Sequence, residues 1–164
     1  MTAARQKRKQ YCAWMLAAAA LVLAGAVSVA IAATTEMIVV DWHSGLAIDG
    51  YDPVAFFTDG KPLAGKADFE LHYGGAVWRF RNIGNREAFV ARPDIYMPQF
   101  GGYDPTGVAR GVAVPGNPNL WQICGQRLFL FHDQARLEKF TADPDQVMVE
   151  AEHNWPAVMS TLSP

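Results

Sequence analysis

The chain has 164 residues and a mass of 18.0 kDa, which is the size of one ordinary domain or two very small ones. Hydrophobic residues make up 51% of it and charged residues 18%, a composition that allows a buried core and excludes wholesale disorder. Four of the 14 basic residues precede residue 10, so the chain from Thr34 onward keeps ten basic residues against all 16 acidic ones, a net charge of −6. This acidic body argues against nucleic acid as a partner.

Residues 1–33 have the order of an export signal. A basic cluster between Arg5 and Lys9 is followed by a long apolar run, 11–33, without a charged side chain. Ala30-Ile31-Ala32 offers the small residues that a signal peptidase needs, so the segment is either a cleaved signal peptide or an uncleaved membrane anchor. Either alternative places the body outside the cytoplasm, because positive residues stay inside.

The remaining chain is divided into a linker or leading strand at 34–47, a folded domain at 48–156 and a C-terminal tail at 157–164. Within the domain the motif Gly-Tyr-Asp-Pro occurs at 50–53 and again at 102–105. Single residues then recur at a fixed offset of 51: Phe80 and Phe131, Phe89 and Phe140, Pro93 and Pro144. An ordered recurrence of this kind indicates two pseudo-repeated halves, about 50–100 and 101–152.

Each half predicts a hairpin followed by an amphipathic helix. In the first half, residues 69–73 alternate in polarity, Gly74-Gly75 supplies a turn and residues 76–80 return. Asn82 is expected to cap a helix over about 83–92, which ends before Pro93.

The second half repeats this pattern and adds a helix. The pattern predicts extended runs at 120–123 and 128–131 around a turn at Gly125-Gln126. Asp133 is expected to cap the following helix, and a third helix is predicted from about Pro144 to Trp155-Pro156. The predicted fold is therefore a small α+β domain of short antiparallel hairpins packed with helices.

Several separated motifs then resemble one known family. They are Ile48-Asp49-Gly50-Tyr51-Asp52-Pro53-Val54-Ala55-Phe56-Phe57, Trp78-Arg79-Phe80-Arg81-Asn82, Arg92-Pro93-Asp94-Ile95-Tyr96, Pro98-Gln99-Phe100-Gly101-Gly102-Tyr103 and Asn154-Trp155-Pro156. Over about residues 46–156 the sequence resembles exported bacterial proteins with a YHS domain. The resemblance implies a small metal-associated module, working in the periplasm or at the outer face of the inner membrane.

The cysteine ligands of the metal-binding form of that family are absent from this sequence. Their places are taken by Ala55, Arg81, Asn85 and Asp104. A thiolate site for zinc or monovalent copper would need those sulfurs. Cys124 is the one cysteine outside the export segment, so no internal disulfide is predicted if that segment is cleaved.

The two Tyr-Asp-Pro turns are the main candidates for a binding site. If the halves are related by a pseudo-two-fold axis, their tyrosines and aspartates could meet at one crevice together with a nearby carboxylate; the candidate ligands are Asp49, Tyr51, Asp52, Tyr103 and Asp104. Phenol and carboxylate oxygens suit a hard cation or a small polar ligand. The alternative is that both turns only cap neighbouring elements through hydrogen bonds to the backbone.

Two of the four histidines are further candidates as metal ligands. His72 precedes the first hairpin turn, and His132 adjoins the predicted cap Asp133. No two histidines have the spacing of three or four residues that places both on one helix face, so there is no local metal motif. The competing interpretation is that both are structural or surface histidines.

The predicted function is an exported, non-catalytic module that binds a metal ion or a small polar ligand weakly. The sequence does not identify a cofactor, although a divalent metal ion is the candidate, and it shows no catalytic motif. The alternative is a scaffold without cysteine ligands that docks a partner protein of the cell envelope and has no ligand chemistry. In both cases the membrane is contacted only through the N-terminal segment.

Overall fold

The structure, a computed structural model, describes residues 36–162. The predicted export segment and the last two residues of the predicted tail lie outside the described residues. None of the helices within residues 36–162 is long and apolar enough to cross a bilayer. The described chain forms a small α+β domain with two separate two-stranded antiparallel sheets, which confirms the predicted fold class.

The first half begins with a 3-10 turn at Ile48–Gly50 and contains one hairpin. Its elements are α1 (Ala55–Thr58), β1 (Lys66–Tyr73), β2 (Ala76–Phe80), α2 (Ile83–Ala91) and α3 (Pro93–Tyr96). The second half begins with a 3-10 turn at Gln99–Gly102 and has the same order. Its elements are α4 (Pro105–Val108), β3 (Asn117–Cys124), β4 (Arg127–Phe131), α5 (Gln134–Ala142) and α6 (Pro144–Met159).

The two hairpins turn where the sequence predicts. In the first, Tyr73 pairs with Ala76 across Gly74-Gly75, and in the second, Cys124 pairs with Arg127 across Gly125-Gln126. Both sheets shift register near their open ends, between Lys66 and Glu70 in the first and between Asn117 and Trp121 in the second. These are equivalent positions of the repeat, so the duplication extends to an irregularity of the sheet.

The two predicted N-caps are confirmed. The side-chain oxygen of Asn82 accepts a hydrogen bond from the backbone N–H of Asn85 at 2.9 Å. That of Asp133 accepts one from the N–H of Arg136 at 3.0 Å. Each cap satisfies a donor that the first turn of a helix leaves without an intrahelical partner.

The end of the last helix differs from the prediction. The helix α6 continues through Pro156 to Met159. Proline removes one backbone donor, but close to a C-terminus the loss is confined to a single helical hydrogen bond. The carbonyl of Pro156 still accepts from Ser160 N at 3.2 Å, so the final turn closes.

Each half has its own aromatic cluster around the helix that follows its hairpin. The ring of Phe89 on α2 lies 5.1 Å from that of Trp78 and 5.2 Å from that of Phe80, centroid to centroid. The equivalent distances in the second half are 5.0 Å and 5.1 Å, between Phe140 and the phenylalanines at 129 and 131. All six rings are essentially buried. The halves therefore repeat in side-chain packing as well as in element order.

Candidate functional site

Asp52, in the first Tyr-Asp-Pro turn, is completely buried. Its Oδ1 accepts hydrogen bonds from Val54 N at 2.8 Å and Ala55 N at 3.4 Å, at the start of α1. Its Oδ2 accepts from Arg81 N at 2.8 Å and from the side-chain amide of Asn85 at 2.6 Å. The carboxylate thus joins the turn to the end of β2 and the first turn of α2.

Asp104 has the same arrangement in the second half and is also completely buried. Its Oδ1 accepts from Thr106 N at 2.8 Å, Thr106 Oγ1 at 2.7 Å and Gly107 N at 3.4 Å. Its Oδ2 accepts from His132 N at 2.8 Å and lies 3.8 Å from Arg136 Nε. Arg136 is the repeat equivalent of Asn85, so a guanidinium stands where the first half has an amide.

These contacts correspond to the capping interpretation of the two turns. Each carboxylate directs its oxygens at donors of its own half, and a cation at either one would have to displace buried hydrogen bonds. Asp52 and Asp104 therefore hold the turns in place, and the geometry provides no support for a shared crevice formed by their carboxylates.

The two tyrosines of the turns have different surroundings. The ring of Tyr103 is fully buried, and its hydroxyl donates to the carbonyl of Glu36 at 2.6 Å. Tyr51 is half-buried, and its hydroxyl lies 3.5 Å from Oδ1 of Asn119 on β3. The two phenols thus contact different segments of the chain.

Asp49 is exposed and occupies the left-handed region, with φ at 56°. Loss of solvent around its carboxyl, together with repulsion from Asp41, raises its pKa above the ordinary value. Asp49 is therefore harder to ionise than a free aspartate.

The two candidate histidines are both exposed. His72 lies on β1, whereas Nδ1 of His132 lies 3.0 Å from the carbonyl oxygen of Pro115. Within residues 36–162 no three His, Cys, Asp or Glu side chains form a group that could hold a metal ion. A site built from these side chain types is therefore not supported by the geometry of the described residues.

A different place, an open pocket of about 360 Å³, combines apolar walls with several functional side chains. We call it the methionine pocket, and its defining residues are Met37, Met97, Met159, Phe100, Trp155 and Asp94. The three methionines are half-buried. The pocket brings together the start of the described chain, the segment after α3 and the end of α6.

Close backbone packing fixes one side of the methionine pocket. Gly101 has φ at 64°, and a Cβ at this position would lie 2.0 Å from the carbonyl oxygen of Met37. Val39 N also donates to the carbonyl of Gly101 at 2.8 Å. Only glycine permits this approach, which holds Met37 against the second 3-10 turn.

Aromatic packing fixes the other side. The ring of Trp155 lies 5.5 Å from that of Phe100, nearly edge-on, and 6.3 Å from that of Tyr103. Met159 follows Trp155 by four residues on α6, so the two side chains lie on the same helix face.

The charge of the pocket comes from Asp94. Hydrogen bonding from the Arg92 guanidinium, at 3.0 Å to Oδ2, lowers the pKa of this exposed carboxyl below its ordinary value. Asp94 is therefore ionised at neutral pH. Of the described residues that line the pocket, it is the only one with an ionisable side chain.

The three methionines of this pocket carry no local signal in the sequence, although Asp94, Gln99 and Phe100 lie in the motifs described above. Met37, Met97 and Met159 lie far apart in the chain and follow no periodicity. Trp155 is singled out only as part of the Asn-Trp-Pro motif. Comparison of the chain with models of protein families, with curated proteins and with solved structures gives no match in any of the three.

Proposed function

We propose that this protein is an exported, non-catalytic module of YHS type that binds a metal ion or a small ligand, and that the methionine pocket is its binding site. The observation that carries the proposal is the pocket itself, an open cavity of about 360 Å³ with apolar walls and a few polar groups. Small-ligand sites in proteins have this character.

The chemistry of the lining favours binding over catalysis. Acid–base and nucleophilic mechanisms need a titrating or nucleophilic side chain that is aimed at the substrate. The described lining offers Asp94, which is engaged by Arg92, and the neutral amide of Gln99. The remaining contacts come from thioethers, aromatic rings and backbone, which hold a ligand without reacting with it.

The test is calorimetric titration of the full chain, purified without a His tag in a mild detergent, with Cu(I), Zn²⁺, Ni²⁺, Mn²⁺, Ca²⁺ and a set of small polar molecules. Gln99→Trp places a large ring in the pocket, and Gln146→Trp, on an exposed part of α6, is the matched control. Binding that Gln99→Trp weakens and Gln146→Trp leaves unchanged supports the proposal. If no titrant binds, or if both variants bind like the parent, the proposal fails.

A second candidate, a docking scaffold, is favoured by one surface residue. Trp42 is 79% exposed at the tip of a loop that is closed by pairing of Val40 with Ala47. The loop is held by Asp41, whose Oδ1 accepts from Ser44 N at 2.8 Å and Ser44 Oγ at 2.7 Å. An exposed tryptophan on an ordered loop is typical of a protein contact.

The docking candidate is tested by crosslinking in the intact cell envelope. A discrete crosslinked product that disappears in Trp42→Ala would support a partner at this loop. Crosslinking that is the same in the parent chain and the variant would exclude the loop as a docking site.

A further inference from the structure

We propose that the methionine pocket is a thioether site for a soft monovalent cation, Cu(I) or its analogue Ag(I), with Met37, Met97 and Met159 as ligands. This inference rests on the proposed function and names the ligand class. Met37, Met97 and Met159 lie outside all the sequence motifs described above.

The argument begins with the chemistry of the ligand atoms. A thioether is neutral and polarisable, and it binds soft metals such as Cu(I) in preference to hard ones. Mg²⁺ and Ca²⁺ need several oxygens, and Zn²⁺ is held by thiolate, imidazole or carboxylate. A set of three thioethers therefore selects a monovalent d¹⁰ ion, whose single charge needs little compensation.

The distribution of methionine supports a site rather than simple core filling. Four methionines lie within residues 36–162, and three of them line this one pocket. The fourth, Met148, has its sulfur 2.9 Å from Nη2 of Arg127 on another face of the domain. All four are half-buried and Met97 also packs against the main core, so it is the gathering of three of them at one open cavity that points to a site.

The chain positions the three sulfur-bearing residues independently. Met37 is held by the tight approach to Gly101. Met97 caps the end of α3, where its N–H donates to the carbonyl of Pro93 at 2.9 Å. Met159 is the last residue of α6. The backbone of each of the three ligand residues is therefore held in place without an ion.

The surroundings of the sulfurs favour a cation. Asp94 lies at the rim with its charge paired to Arg92, and the aromatic residues Trp155 and Phe100 line the pocket. Aromatic faces attract cations, with tryptophan the most effective.

The experiment measures Cu(I) affinity under anaerobic conditions by competition with a chromophoric Cu(I) chelator. Ag(I), which does not change its oxidation state here, serves as a second probe. The full chain is used with Cys12 and Cys124 both replaced by serine, because free thiols bind Cu(I) on their own. The test variants are Met37→Leu, Met97→Leu and Met159→Leu, which conserve volume while removing sulfur.

Each pocket variant is expected to weaken Cu(I) binding by at least about tenfold, as is usual when a metal site loses a contributing group. Met148→Leu is the matched control and is expected to bind like the parent. Circular dichroism of every variant excludes misfolding as the cause. Tryptophan emission gives an independent readout, because a bound ion quenches Trp155, and this quenching should be absent in Trp155→Phe.

Three results would overturn the inference. One is no binding of either ion, another is full affinity in the triple leucine variant, and the third is an equal loss in Met148→Leu. Failure here is distinct from failure of the proposed function. If Zn²⁺ or a small molecule binds and Gln99→Trp blocks it while Cu(I) does not bind, the pocket remains the site and only its ligand class is wrong.

Discussion

Replacing Asp52 by alanine is expected to destabilise the domain by roughly 3–5 kcal/mol. The buried carboxylate has three short acceptor contacts, from Val54 N at 2.8 Å, Arg81 N at 2.8 Å and Asn85 Nδ2 at 2.6 Å. Each donor that is left without an acceptor costs about 1–3 kcal/mol if it stays dry. Arg81 and Asn85 are half-buried, so water can reach part of the space that the carboxylate leaves. The loss of stability should therefore lie near the lower end of the summed cost of the three donors.

The assay is urea unfolding followed by tryptophan fluorescence, with the free energy of unfolding extrapolated to water. Asp52→Asn is a milder variant. Its side-chain oxygen can still accept from the backbone N–H groups at the start of α1, and Asn85 can rotate its amide so that its oxygen accepts from the new NH₂ group. We expect it to lose about half as much as alanine does. Asp68→Ala, on an exposed part of β1, is the control and should stay within about 0.5 kcal/mol of the parent.

A loss below about 1 kcal/mol in Asp52→Ala would refute the reasoning, because it would mean that the donors do not depend on the carboxylate. Asp104→Ala provides a second trial in the other half. Its backbone donors, Thr106 N and His132 N, match those of Asp52. The Thr106 hydroxyl would in addition lose its acceptor and Arg136 a nearby negative charge. Asp104→Ala should therefore be destabilised at least as much as Asp52→Ala.

Two further predictions concern single backbone positions. Asp49→Asn is expected to stabilise the fold at neutral pH, because asparagine tolerates a φ of 56° and carries no charge to repel Asp41. Since the folded pKa of Asp49 is raised, the parent loses stability as pH rises from the ordinary value of 3.8 through the folded pKa; the electrostatic part of the gain from Asp49→Asn should therefore vanish below about pH 3.8 in urea unfolding, leaving only the part due to backbone conformation. Gly101→Ala should cost at least about 1–2 kcal/mol and weaken Cu(I) binding, since its Cβ would displace Met37. Gly111→Ala, with φ at 76° but open space around it, should carry the backbone cost alone; equal Cu(I) affinities in the two variants would contradict the packing argument.

Local signals in the sequence were sufficient for the two hairpins and for the capped helices that follow them, but not for the short helices α1, α3 and α4 or for the end of α6. Hairpin turns at Gly74-Gly75 and Gly125-Gln126 depend on the conformational freedom of a few adjacent residues, and the caps Asn82 and Asp133 act over three residues. Interactions of such short range leave their mark in the residue pattern itself. The same holds for the duplication, because equivalent contacts require similar residues at a fixed offset.

The geometry of the candidate site could not be predicted from local signals, and Asp52 is an example. A turn aspartate can point outward to a ligand or inward to a donor, and the sequence around it is compatible with both. The choice is made by Arg81 N and Asn85, which are distant from Asp52 in the chain. Whether the tyrosines of the two turns meet could not be predicted for the same reason. It depends on how the two halves pack against each other, which the local sequence does not specify.

The sequence by itself thus determined the α+β class, the two hairpins, the caps and the repeat, because these follow from contacts between residues close in the chain or from a recurring pattern. Tertiary structure alone decided that the turn carboxylates face inward and that Met37, Met97 and Met159 share one pocket. These three residues come from the beginning, the middle and the end of the described chain. No residue pattern of short range encodes their proximity, which arises only when the start of the described chain, the second 3-10 turn and the last helix pack together.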